Sequence, residues 1–144
     1  MPLPRPQPPV TGPVASEEPV AASVRIQFPF GIPYCGALIL MVPRGKRLVI
    51  DSISFEGKAR AGQGFLRATT TFEGHAMTYI VPALGLHLTG APEMVAGSAS
   101  LRLYADPGTL VMVTFHSGVG GHCYGINSIR ASLSGHYVSP RQYT

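Results

Sequence analysis

No tryptophan occurs in these 144 residues, and cysteine occurs only twice. Without tryptophan, a sugar-binding site built on the broadest aromatic platform is excluded, and tyrosine would have to serve. Cys35 and Cys123 allow at most one disulfide, with two buried free thiols as the bland alternative. Charge is scarce as well: 12% of residues are charged against 45% hydrophobic, the mark of a packed globular chain that leaves apolar surface to be covered. The net charge of +4 is mild and scattered outside Arg44, Lys46 and Arg47, which argues against a nucleic-acid footprint. The longest apolar run, Ala37 to Val42, falls far short of the roughly 20 residues of a membrane helix, so no membrane insertion is expected. Met1 to Pro19 lacks the apolar core of a signal peptide. With no leader legible in this stretch, two free thiols are expected rather than a disulfide.

What is abundant is glycine (17) and proline (14), which suits short strands and many turns and is hard to reconcile with a helical bundle. Arg44 to Phe55 (RGKRLVIDSISF) is the clearest strand. Leu48, Val49 and Ile50 predict burial on both faces at one end, and Ile53-Ser54-Phe55-Glu56 then alternates. Leu101 to His116 reads as two strands around the turn Asp106-Pro107-Gly108-Thr109, where proline pre-sets φ and glycine supplies a positive one. Val24, Ile26 and Phe28 alternate with Arg25, Gln27 and Pro29, and the proline places this strand at a sheet edge. Further strands are expected over Cys35–Val42, Phe65–Phe72, Ala76–Pro82, Leu84–Leu88, Ser98–Ala105 and Cys123–Val138, with Gly57–Gly64 an exposed loop. About eight or nine strands at this spacing predict one all-β, antiparallel sandwich or jelly roll.

Residues 1–23 are a different material. PLPRPQPP favours polyproline II, and the stretch has no apolar periodicity from which to build a core. The expected organisation is therefore an extended arm over 1–23, a sandwich over 24–138 and a short tail over 139–144. A segment without a core takes a fixed shape only by docking, and Pro4, Arg5, Pro6, Pro8, Pro9, Val10 and Val14 are the candidate contacts with a neighbouring subunit.

No reaction is legible. His116 and His122 flank the tip Ser117–Gly121 next to Cys123, but no two close-spaced ligand pairs occur, so no metal is expected. There is no G-x-S-x-G elbow, Asp106 is explained by its turn, and Asp51 is expected to pair with a neighbouring-strand arginine such as Arg102. His75, His87 and His136 are expected as solvated or hydrogen-bonded spectators. No catalytic residue and no cofactor are expected.

Val42-Pro43-Arg44-Gly45-Lys46-Arg47-Leu48-Val49-Ile50, Leu101 to Thr109 and Ser134-Gly135-His136-Tyr137-Val138 resemble small, uncharacterised bacterial β-sandwich proteins over about residues 24 to 138. Members usually carry a secretory leader, where this chain has its Pro-rich arm. The resemblance implies the fold and no activity. The expectation is a non-enzymatic homo-oligomer or component of a larger shell or fibre, in a virion or an extracellular assembly. A glycan-binding module using Tyr34, Tyr79, Tyr104, Tyr124 or Tyr137 is the alternative.

Overall fold

The structure, a computed structural model, describes residue 2 and residues 18–85, 93–117 and 125–140. Its strands are β1 (Glu18–Pro29), β2 (Tyr34–Met41), β3 (Arg47–Lys58), β4 (Phe65–Phe72), β5 (His75–Pro82), the two-residue β6 (Leu84–Gly85), β7 (Met94–Ala105), β8 (Leu110–His116) and β9 (Ile126–Val138). They form two antiparallel sheets, a five-stranded one in the order β1-β9-β3-β7-β6 and a four-stranded one in the order β2-β8-β4-β5. The chain is a β-sandwich.

Alternation explains why it closes. Ile26, Phe28, Ile53, Phe55, Ile129 and Leu133 point inward from the larger sheet, and Leu66, Ala68, Val81, Val111, Val113 and Phe115 meet them from the smaller one. Phe115 sits at the centre, its ring 5.7 Å from that of Phe55 and 6.4 Å from that of Phe28. A bulge at Asp51 shifts the register of β3 against both neighbours. It lets Leu48 and Ile50 before it and Ile53 and Phe55 after it all face the core. Val49, on the opposite side of β3, lies between Tyr104 and His136 in register and is buried too.

One end of the sandwich is tied by polar bonds. The Arg47 guanidinium is buried, donating to Asp106 Oδ1 at 3.3 Å and to the Pro140 carbonyl at 3.2 Å, and it lies over the Phe72 ring at 5.4 Å. The Asp106 amide bonds to the Thr71 carbonyl at 2.7 Å, and Thr70 Oγ1 donates to the Tyr104 carbonyl at 2.9 Å, so the two sheets are bonded directly there.

Four expectations change. β1 starts at Glu18, inside the stretch assigned to the arm, because Val20 and Ala22 continue the inward alternation and pack against the core. The 57–64 loop is not simply exposed: Ala59 is buried and its amide donates to the Glu93 carbonyl at 2.8 Å, closing the opposite end of the sandwich. Asp51 takes His136 Nδ1 at 2.9 Å rather than Arg102, since the bulge sets it beside β9. The Asp106 carboxylate serves Arg47 and the Gly74 amide at 3.3 Å, a neighbouring hairpin rather than its own turn. That turn closes through Thr109 N–H to the Asp106 carbonyl at 3.3 Å, with Gly108 at φ 73°.

Candidate interaction surface

Register decides what each sheet shows to solvent. Across the four-stranded sheet the outward rows read Tyr34, His116, Phe65, Pro82; then Gly36, Thr114, Arg67, Ile80; then Leu38, Met112, Thr69, Thr78; and finally Met41 beside Leu110. Tyr34, Leu38, Met41, Ile80 and Leu110 are each 45–58% exposed. Among the described residues of these rows Arg67 is the one permanent charge. Apolar side chains run along β2 and β8 (Tyr34, Leu38, Met41, Met112 and Leu110) and recur at Ile80, with Thr114, Arg67, Thr69 and Thr78 between them, and an exposed apolar grouping of this kind marks a candidate contact surface.

At its upper row three rings stack. The His116 imidazole lies 4.6 Å from the Phe65 ring at an interplanar angle of 9°, and 5.3 Å from the Tyr34 ring at 27°. Neighbouring strands bring these residues side by side although they are far apart in sequence. Burial in the stack, reinforced by the positive charge of Arg67, pushes the His116 pKa below its ordinary value. Its Nε2 is buried and makes no hydrogen bond.

The outer face of the five-stranded sheet is the chemical opposite. Its rows read Gln27, Ser128, Lys58, Met94; Arg25, Arg130, Glu56, Ala96; Ser23, Ser132, Ser54, Ser98; and Ala21, Ser134, Ser52, Ser100. Ser52 Oγ bonds with Ser134 Oγ, and Gln27 Nε2 donates to Ser128 Oγ at 3.3 Å. A shallow groove of about 510 Å³ crosses it, lined by Ser54, Glu56, Ala96, Ser98, Arg130 and Ser132. Its hydroxyls and opposed charges keep water well, so this face is comfortable uncovered.

No protein-family model matches the chain. No curated protein matches it either. Among solved structures it is similar to the cyanophage Pam1 capsid asymmetric unit, at 13% identity and a TM-score of 0.49, over 83% of this chain and 85% of that one. It is also similar to the Drosophila NLP-core, from a structure concerned with pentamer formation and histone binding, at 15% identity and a TM-score of 0.33, over 82% of this chain and 99% of that one. Likenesses this distant carry no argument about role.

The residues singled out in sequence scatter over the structure. Val24, Ile26 and Phe28 lie on β1, an edge of the five-stranded sheet, with Ile26 and Phe28 buried. Cys35 is half-buried on β2, while Cys123, His87, His122 and Tyr124 lie outside the described residues. So do Pro4, Arg5, Pro6, Pro8, Pro9, Val10 and Val14 of the arm. Tyr79 stands on edge strand β5, Tyr104 packs on Phe72 at 5.2 Å, and Tyr137 lies 5.6 Å beneath Lys46 Nζ. Among the described residues no three His, Cys, Asp or Glu side chains are grouped to hold a metal ion. No helix among them is long and apolar enough to cross a membrane. Sequence reasoning missed the apolar face as a unit. Its signal was the outward parity of Tyr34 and Leu38 in a strand that reads as apolar throughout, while Met41 joins them only through the register shift between Leu38 and Leu40.

Proposed function

We propose that this chain is a non-enzymatic structural protein whose sandwich is joined to identical neighbours, or to other proteins of a larger shell or fibre, through the outer face of its four-stranded sheet and its N-terminal arm. The observation that carries the reading is that uncovered apolar face, set against a polar face on the other side of the same domain. Four strands about 4.8 Å apart and eight residues of about 3.3 Å give a footprint of roughly 500 Å². A stable pairwise interface needs about 800 Å² per partner. A single such contact is therefore weak, and a repeating lattice, where many weak contacts act together, is where it serves best. A virion decoration, capsid or tail-associated protein suits that setting best, and an extracellular filament subunit is the other arrangement of the same kind.

Light scattering on the full-length chain across a concentration series tests this. Self-association is expected, and Leu38→Glu with Ile80→Glu should return the chain to a monomer that keeps its fold by circular dichroism. A wild-type chain that stays monomeric at every concentration overturns the joining of identical neighbours. A carbohydrate-binding module is favoured by one observation, the exposed Tyr34 ring at the end of the stack. Specific retention on a glycan array, lost in Tyr34→Ala, would put it first.

A further inference from the structure

We infer that the ledge of Tyr34, His116 and Phe65 is the dock for the Pro-rich segment Pro4 to Pro9 of a second copy of this chain. This deepens the assembly reading and rests on it. β2 is the edge of its sheet, so among the described residues the ring of Tyr34 ends the stack, and it is 58% exposed. At the other end Pro82 stands opposite Phe65 in register, so a proline already follows the aromatic row there. Aromatic ledges of this type take polyproline II ligands, whose shape is set before binding and whose ordering cost is low.

The spacing agrees. With three residues per turn and about 3.1 Å of rise, Pro6 and Pro9 fall on one face of a polyproline II helix roughly 9 Å apart. Tyr34 and Phe65 stand on β2 and β4, with β8 between them. Two strand spacings come to about 9.6 Å, so an arm crossing the strands would set one proline near each outer ring.

Reach selects the second copy. The arm joins the domain at Glu18, which pairs with Tyr137 and is held by Lys46 Nζ at 2.7 Å. β1 then runs its 12 residues to Pro29, and Tyr34 follows the next turn, so the ledge lies at the far end of the molecule. Returning to it from Glu18 means covering about 36 Å along the strand and then crossing a layer about 10 Å thick. Pro9 and Pro4 stand only about 28 and 43 Å of polyproline II chain from Glu18. The arm cannot lay Pro6 and Pro9 on its own ledge, and that limit of length does not apply to the ledge of a second copy.

The test is photo-crosslinking in the full-length chain. Gln7→p-benzoylphenylalanine is prepared with natural and with ¹⁵N isotopes, the two are mixed, and crosslinked peptides are read by mass spectrometry. Mixed-isotope crosslinks into 34–38, 65–69 and 112–116 are expected, with yield falling at least fivefold in Tyr34→Ser and unchanged in Ser54→Ala on the opposite face. Crosslinks confined to one isotope, placed elsewhere, or absent overturn the inference. Light scattering on the same samples separates the two levels: an oligomer with such crosslinks leaves the assembly reading standing, and a monomer removes the joining of identical copies as well.

Discussion

The two outer faces of this sandwich share one backbone pattern and have opposite surface chemistry. On the five-stranded sheet, outward positions are filled by Ser23, Ser52, Ser54, Ser98, Ser100, Ser132 and Ser134, and charge appears in the row Arg25, Arg130, Glu56 and at Lys58. On the four-stranded sheet the same kind of position holds Tyr34, Leu38, Met41, Ile80 and Leu110, with Arg67 as the one permanent charge among its described residues. Folding alone does not explain the difference, because both sheets bury equally apolar inner faces. Apolar side chains grouped on one outer face mark it as the candidate contact surface.

The comparison can be broken at its root by removing what the faces share. Phe115→Ala, at the centre of the core, should cost about 3–5 kcal/mol and weaken both sheets together, read as a lower denaturation midpoint. A smaller loss restricted to the five-stranded sheet is expected from Gly135→Ala, whose Cβ would press against the Val49 carbonyl. Crowding of that kind costs about 1–3 kcal/mol, and amide exchange should show β3 and β9 opening first. Leu38→Glu with Ile80→Glu should change stability by no more than about 0.5 kcal/mol per site while abolishing self-association. The mirror pair Ser54→Glu with Ser98→Glu should leave association as it was, and equal effects from the two pairs would erase the distinction.

The smallest effect is that of pH. His116 has its pKa depressed by burial and then by Arg67, so the unfolded chain takes up that proton at higher pH than the folded one. Its contribution is complete above the ordinary histidine value of about 6.5 and is lost as pH falls through the lower folded value. Thermal midpoints should therefore drop on acidification below that point, and His116→Phe, which keeps a ring in the stack, should flatten the dependence.

Much of this was legible residue by residue. The alternation in Val24, Ile26 and Phe28 marks a half-buried strand, the limits of Phe65–Phe72 and Leu110–His116 follow from their turns, and Ile129, Ala131 and Leu133 do face inward. What stayed hidden depends on which strands become neighbours. Tyr34, His116 and Phe65 each look like an ordinary strand residue, and only the order β2-β8-β4 makes them one stack. The same holds for Asp51 with His136, where a bulge redirected a carboxylate toward a partner no local pattern names. The serine field was half visible, since the Ser-x-Ser repeats show in the chain but their side-by-side alignment does not.

The attachment of β1 has a mechanical consequence. Its ladder to β9 runs through 12 register pairs, from Glu18 opposite Tyr137 to Pro29 opposite Ile126. Traction entering at residue 17 would travel lengthwise down that strand, so every rung would share the load and none would peel open before the others. Lys46, grasping both carboxylate oxygens of Glu18 at 2.7 Å, fastens the loaded end to the turn before β3. A strand rooted this way resists a lengthwise pull far better than it resists being prised from the side.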